Sequence, residues 1–428
     1  MNTPRIVTLN ARFPGLRPLR HRNFALYFCG LTISQCGDWI EATTTAWLLY
    51  QITGDPVLLG LGGGIRAASI MLFGLVGGAF ADRADRRRVL FVTQSGFALA
   101  SLALGTLALS GQITFWHIYA FSAVNGALGS FDAPARRALF PNLVPRAEMQ
   151  NAVVLNAAVF RLARLTGPAI GGVIIALYGP ATSYFVNFAS YAAIIVALVA
   201  MRIPRTTPRR GGALSRDVVD GLRYSLRRPM LRSLLLLEAT YSFFGLNTAL
   251  ITIIASDVLH VGPQGLGLLL SSQAVGALIG TTVLVMSGDV EHKGRAMLVA
   301  GIAYCVALLL LGSAHSFEAA AALLVVAAIA DAYWAAMRNT VIQLQTDESY
   351  RGRTLSLLLL ASRGLTQGAQ LETGVAASIG GPGFAVAFGA GVIALMLAAV
   401  NVRTREIRDF RGLPDAIAPV ATTETPGS

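Results

Sequence analysis

The chain has 428 residues, 54% of them hydrophobic and 13% charged, with a mean hydropathy of +0.60 and a formal net charge of +12. That balance excludes an ordinary soluble globular protein. The arginine excess sorts by loop, which makes it an orientation signal and excludes a nucleic-acid surface as its cause.

A membrane helix needs roughly 20 apolar residues, and twelve stretches of that kind run along the chain. The basic arm, residues 1–23, leads without a small-residue cleavage site into the first half. Spans are predicted there over 24–52, 57–81, 89–109, 114–133, 152–178 and 183–200. A basic linker, 201–232, starts Pro- and Arg-rich and then carries Val218, Val219, Leu222 and Leu226, the pattern of a short interfacial helix. The second half predicts spans over 234–255, 266–287, 296–314, 317–336, 354–379 and 384–402, followed by a disordered tail over 403–428.

Of the 34 basic residues, 30 fall in the arm, the linker, the tail or alternate connections, Arg338 among them, and none in the six intervening connections. The other four, Arg66, Arg161, Arg164 and Arg363, lie within apolar runs. Lysine and arginine mark the cytoplasmic side, so both termini are expected there. The expectation is an all-α membrane protein of two pseudo-symmetric six-helix bundles, 24–200 and 233–402, acting as a monomer in a bacterial cytoplasmic (inner) membrane. Asp82 and Asp289 support the repeat, each preceding a basic cluster at the same place in its half. Cys29, Cys36 and Cys305 all fall within predicted spans with no histidine beside them, so neither a disulfide framework nor a metal site is expected.

Small residues suggest how the halves meet. Gly-xxx-Gly pairs occur at Gly60/Gly64, Gly74/Gly78, Gly167/Gly171, Gly276/Gly280 and Gly364/Gly368, in the second and fifth spans of each half. Apolar helices gain little by associating in lipid, and close backbone approach supplies much of what holds them. These pairs are therefore expected to form the contact between halves.

Two motifs carry a family resemblance. After the second span the chain reads Gly78-Ala-Phe-Ala-Asp82-Arg83-Ala-Asp85-Arg86-Arg87-Arg88. This resembles the cytoplasmic signature of the major facilitator superfamily, Gly-x-x-x-Asp-Arg-x-x-Arg-Arg. In the fifth span, Gly167-Pro168-Ala169-Ile170-Gly171-Gly172 is similar to that superfamily's exporter signature, although Ala163 stands where the signature has an earlier glycine. Ser122 occupies the position of the drug/proton antiporters' signature arginine, so that role does not carry over. Pro134 to Pro145, Asn156 and Arg351-Gly352-Arg353 resemble instead the subgroup holding the enterobactin exporter and macrolide efflux proteins. The resemblance implies the major facilitator fold, alternating access, and Asp82 latching the cytoplasmic side against the start of the eleventh span near 352–354.

Ionisable residues inside a membrane are costly and mark function. At about 1.5 Å per residue, Asp38 lies about 21 Å from the cytoplasmic end of its span. Glu41 and Arg66 lie about 16 and 13 Å from the outer end, so an ion pair between them is expected. Arg161 and Arg164 share a helix face. Asp38 or Glu41 is expected to carry the proton, with Arg66, Arg161 and Arg164 tuning it and meeting substrate. Arg363 and Glu372 are the second-half candidates, while Glu238 and Asp331 read as structural and Asp132 as a partner of Arg136 and Arg137.

The functional expectation is proton-coupled export of an amphipathic small molecule, a siderophore or a hydrophobic drug. The chain has no phosphate-binding Gly-x-x-x-x-Gly-Lys-[Ser/Thr] loop, so no nucleotide or other cofactor is expected and the proton gradient supplies the energy. An importer or lipid flippase of the same fold is the nearby alternative. A polytopic enzyme or sensor would need a His-Glu-x-x-His-like cluster or a sizeable soluble domain, neither of which the sequence offers.

Overall fold

A computed structural model describes residues 14–201, 214–288 and 290–410, and among these every long element is a helix. The first group is α1 (Arg22–Thr53), α2 (Pro56–Arg83), α3 (Arg86–Leu109), α4 (Phe115–Leu139), α5 (Met149–Tyr178) and α6 (Pro180–Ala200). Within the linker lies α7 (Leu214–Arg227). The second group is α8 (Pro229–Phe244), α9 (Thr248–Ile253), α10 (Pro263–Met286), α11 (Lys293–Gly312), α12 (Phe317–Gln345), α13 (Glu348–Arg403) and the short α14 (Arg405–Arg408).

Short polar residues start these helices where the chain turns. Asp55 caps α2, its carboxylate accepting the Val57 and Leu58 N–H at 2.7 and 3.3 Å, with Pro56 opening the first turn. Asp85 caps α3 through the Arg87 N–H at 3.0 Å, and Ser316 caps α12 through the Ala319 N–H at 3.2 Å. Gly54 ends α1 at φ 61, a left-handed conformation that favours glycine.

Nine described helical stretches are long and apolar enough to cross a membrane. The helices α1 and α4 have the length, 32 and 25 residues, but their polar side chains keep them below that apolarity. The 56-residue α13 divides into two rods at Gly381 (φ 80), with Pro382 following, where two separate spans were expected.

Three expectations need correction. The seventh span is not one helix: α8 stops at Phe244, and the Leu246 N–H donates to the Tyr304 hydroxyl at 2.8 Å. Asn247 then caps α9 by accepting the Leu250 N–H at 3.0 Å, and a π turn follows over Ile254–Val258. Broken backbone is tolerated at this depth because protein groups satisfy it. Second, Arg136, Arg137 and Arg338 are not loop charges: α4 runs to Leu139 and α12 to Gln345. Hydropathy marks where the apolar stretch ends, whereas a helix continues while its packing and hydrogen bonds hold. Third, the start of the expected disordered tail is folded. Ile407 is fully buried and the Gly294 N–H donates to the Phe410 carbonyl at 3.2 Å, tying this segment to the start of α11.

Packing follows two apolar cores. One lies wholly within the first group, around Phe24, Leu31, Leu90, Ile194 and Leu198. The other spans the second group, around Leu234, Ile253, Leu269, Trp334 and Ile393, and takes in Leu49, Leu59 and Tyr119 from the first. The groups join mainly through α2 against α13 and α5 against α10. These are the expected helices, but the expected glycine pairs are mostly not the ones in contact. Gly167 and Gly171 abut α1 at Trp39 and Ile40, and Gly276 and Gly280 abut α12. Gly74 and Gly364 have nothing within 4 Å where a side chain would start, and Gly368 meets only the edge of Phe243. The joint is made by Gly60, Gly63 and Gly64 against Gln370 and Leu371, by Gly374 against Pro56, and by Gly172 and Gly267 against Pro263 and Pro168. A methyl at Gly60 would run into the Gln370 carbonyl. Gly60→Ala is therefore expected to destabilise the protein by about 1–3 kcal/mol, while Gly74→Ala leaves thermal unfolding in detergent unchanged or slightly raised. Equal shifts at the two positions would show that the joint does not depend on this approach.

Candidate functional site

Between the two groups lies a cavity of about 280 Å³. Arg164 of α5 lines it from one side. Glu238, Tyr241 and Ser242 of α8, Gln273 of α10, Tyr304 of α11, Asp331 and Arg338 of α12, and Ser362 and Thr366 of α13 line it from the other. Helical spacing places these groups on one face: Glu238, Tyr241 and Ser242 at i, i+3 and i+4, and Asp331 and Arg338 at i and i+7.

The second half supplies a braced wall. Arg338 pairs with Glu238, both buried, and the Ser242 hydroxyl donates to the other Glu238 oxygen at 3.2 Å. Beside this pair Tyr241 stacks between Tyr304 and Trp334, with ring centroids at 4.4 and 5.2 Å. Asp331 faces the cavity from the same helix as Arg338. The first half supplies Arg164, whose guanidinium lies 5.7 Å from the Trp39 ring and donates to the Gln273 side-chain oxygen at 3.4 Å across the joint.

The two carboxylates of α1 stand apart from this cavity. Asp38 accepts from the Tyr191 hydroxyl and from the Gln35 amide, both at 2.6 Å. Glu41 is buried and takes a short hydrogen bond from Ser101. The expected Glu41–Arg66 ion pair does not form, and Arg66 Nε is buried without a hydrogen-bond partner. Antiparallel depth places two residues at the same level but says nothing of which way their side chains turn.

Among the described side chains of the expected set, only Arg164 reaches the cavity; Asp38, Glu41, Arg66, Arg161 and Glu372 do not line it. Arg161 is exposed, and Glu372 is half-buried with the Thr373 hydroxyl at 3.4 Å from one carboxylate oxygen. The side chains of Arg363, Asp82 and Arg83, and the surroundings of Gly78, lie outside the described residues. Conversely, Glu238, Asp331 and Arg338 line the site although sequence reasoning read them as structural or as loop charge. Their i+7 and i+3/i+4 spacing was the available signal.

The remaining motif residues brace the end where α2 gives way to α3. Arg86 donates to the Ala138 carbonyl at 3.0 Å, and Arg87 to the Val199 carbonyl at 2.7 Å, each meeting the last turn of a neighbouring helix. Asp132 pairs with Arg136 as expected, and accepts from Thr93 and Gln94 at 3.0 and 2.7 Å. In the α5 motif, Gly167 and Gly171 seat α1, while the Pro168 carbonyl and Gly172 seat α10.

Residues 14–419 match a family model described as transmembrane secretion effector. The chain is 25% identical over 256 residues to the staphyloferrin A transporter of Staphylococcus aureus, covering 58% of this chain and 63% of that one. It is 24% identical over 403 residues to the enterobactin exporter EntS of Shigella boydii, covering 93% and 95%. The chain thus spans between half and two-thirds of the length of the first curated relatives it matches, 51% and 63%, and nearly all of others. In fold it resembles the inward-facing crystal structure of a bacterial homologue of the iron transporter ferroportin, with TM-score 0.68 and 16% identity over 92% of this chain and 99% of that one.

The buried ion pair makes a direct test possible. Arg338→Gln leaves the buried Glu238 carboxylate without its counter-charge and is expected to lower stability by about 3–5 kcal/mol. Combining it with Glu238→Gln should restore much of that loss in thermal unfolding. A double variant as unstable as the single one would mean that the pairing itself is not what braces this wall.

Proposed function

The chain belongs to the transmembrane secretion effector family of the major facilitator superfamily, and on that premise we propose that it exports an amphipathic small molecule in exchange for protons. It does so by alternating access, as twelve spans with both termini in the cytoplasm of a bacterial cell. The reading rests on one observation above all: a polar, aromatic-walled cavity at the joint of two packed halves, lined from both. Transporters of this architecture bind cargo where the halves meet.

The lining suits cargo with an apolar body and polar groups. The stacked Tyr241 and Tyr304 offer an aromatic wall, Arg164 a cation, and Asp331 a carboxylate. Two relatives are named for siderophores, which favours that class, and hydrophobic drugs form the comparison set.

Proton exchange falls to Asp38 and Glu41. Each is held by hydroxyl or amide groups and not by a cation. A tyrosine or serine hydroxyl donates to a carboxylate and accepts from a carboxylic acid, so either protonation state keeps a partner. Arg66, with its buried Nε unpartnered, is the group positioned to answer a change of charge on α1. Asp82, Arg83 and Gly78 serve as the cytoplasmic latch, and Arg363 and Glu372 as second-half counterparts.

Transport in inside-out vesicles tests this reading. Their lumen corresponds to the cell exterior, so an acid lumen should drive siderophore, macrolide or dye accumulation, and collapsing the gradient should stop it. Asp38→Asn or Glu41→Asn is expected to remove the gradient-driven component while cargo binding persists. Accumulation unchanged by collapse, or retained in both variants, would sink the proton-coupled mechanism. Gradient-driven loss of cargo from the lumen would reverse the direction to import, and movement of lipid alone would make the protein a flippase.

A further inference from the structure

Away from the central cavity, α7 carries a pocket of about 360 Å³ lined by Asp220, Arg223, Tyr224, Arg227, Arg228 and Tyr350. Its floor is rigid. The Tyr224 and Tyr350 rings stack at 4.2 Å with 4° between planes, and the Asp347 N–H donates to the Tyr224 hydroxyl at 3.0 Å. Arg228 donates to Asp347 at 2.6 Å and lies 4.5 Å over the Tyr224 ring. On the inner face, a side chain at Gly221 would touch Arg353 at 3.1 Å, so α7 lies close on the start of α13.

The rim differs from the floor. Arg223 and Arg227, one turn apart, are exposed, and among the described residues no carboxylate forms an ion pair with either. The residues just before them, Leu222 and Leu226, are also exposed, at 39% and 44%. An apolar strip and a cationic strip therefore run side by side on the outer face of α7. The helix ends two residues before Pro229, where a membrane-crossing stretch begins. This puts the strips at the level where lipid headgroups meet acyl chains. An anionic phosphodiester fits the two free guanidiniums, with an acyl chain against the leucines.

We infer that this pocket binds an anionic phospholipid headgroup through Arg223 and Arg227, with Leu222 and Leu226 against its acyl chain. A neutral-headgroup lipid offers no net charge to those arginines, and a soluble nucleic acid or acidic protein would leave the leucines in water. Because the floor joins α7 to α13, an occupied pocket also pins the linker against the helix that contacts the other half.

Short-chain phosphatidylglycerol titrated into the purified full-length protein in neutral detergent, read by thermal shift and calorimetry, tests this. Phosphatidylglycerol should bind more tightly than phosphatidylcholine. An arginine near an anionic surface is worth about 1 kcal/mol, so Arg223→Gln with Arg227→Gln should weaken phosphatidylglycerol about 30-fold. Arg403→Gln, outside the pocket, should not weaken it. Leu222→Ser with Leu226→Ser should weaken phosphatidylglycerol and leave inorganic phosphate as it was. If the double arginine variant does not fold, Arg223→Gln alone should weaken binding about fivefold. Equal binding of the two lipids, or unchanged affinity in the arginine variants, would overturn the site. Inorganic phosphate binding as tightly as phosphatidylglycerol would overturn the lipid as its occupant.

Discussion

The arrangement depends on backbone meeting backbone between the two halves. In a bilayer, lipid tails solvate an apolar side chain as well as a neighbouring helix does, so burial alone gives the halves no reason to stay together. Contact at van der Waals distance over many atoms does, and it requires the helices to come closer than side chains permit. Glycine supplies that at two places related by the repeat: Gly60 and Gly374 where α2 crosses α13, and Gly172 and Gly267 where α5 crosses α10. Both lie close to the ends opened by Pro56 and Pro263. The cavity residues sit further along the same helices, Gln273 ten positions beyond Pro263 on α10. The joint thus fixes one end of the halves and leaves the cavity at its inner edge.

The α1 carboxylates and the cavity wall handle buried charge differently. In the second, Glu238 and Arg338 neutralise each other across α8 and α12, an arrangement that costs dearly to break from one side and so resists change. In the first, Asp38 and Glu41 rely on Tyr191, Gln35 and Ser101, whose hydrogen bonds adapt to either protonation state. Division of labour follows. The wall's charges hold each other in place, as Asp132 and Arg136 do in the first half, whereas in the proposed exchange the α1 carboxyls are the groups whose charge varies. Nothing in the pseudo-symmetry of the fold demands this, because symmetry relates backbones, and side chains along the two halves differ residue by residue.

The fold was legible because its signals are long and redundant. Apolar stretches of about 20 residues, the Gly78-to-Arg88 motif, and basic residues gathered in the arm, the linker and alternate connections each stand out without knowledge of tertiary contacts, although Arg136, Arg137 and Arg338 prove to be helical. That α2, α5, α10 and α13 make the contact between the halves was legible too, from which helices carry closely spaced glycines. Register was not. Gly167 and Gly171 turn to α1, and the residue that meets α10 is their neighbour Gly172, one position and 100° away. The same limit governed the site. Depth along a helix predicted a Glu41–Arg66 pair, whereas azimuth turns Glu41 toward Ser101. Arg338 was hidden for another reason: it lies past the apolar stretch of α12, and only the partner Glu238 on a distant segment makes it a buried residue.

Arg164 draws these threads together. It is the described residue that brings the first half's charge into the cavity, and its two contacts are weak, a 3.4 Å hydrogen bond to Gln273 and a ring face at 5.7 Å. Glu238–Arg338 lies within one half and survives any rigid rotation of the halves. Arg164–Gln273 spans both, so the proposed rocking would stretch or remake it. A long bond to a neutral amide is cheap to exchange for a charged or carbonyl oxygen on cargo. A cation held by a strong carboxylate partner would resist that exchange, and a fully solvated one would have nothing to give up on rocking. In the proposed export cycle, the weakness of the Arg164 contacts is thus what lets cargo binding and relative movement of the halves compete for the same side chain.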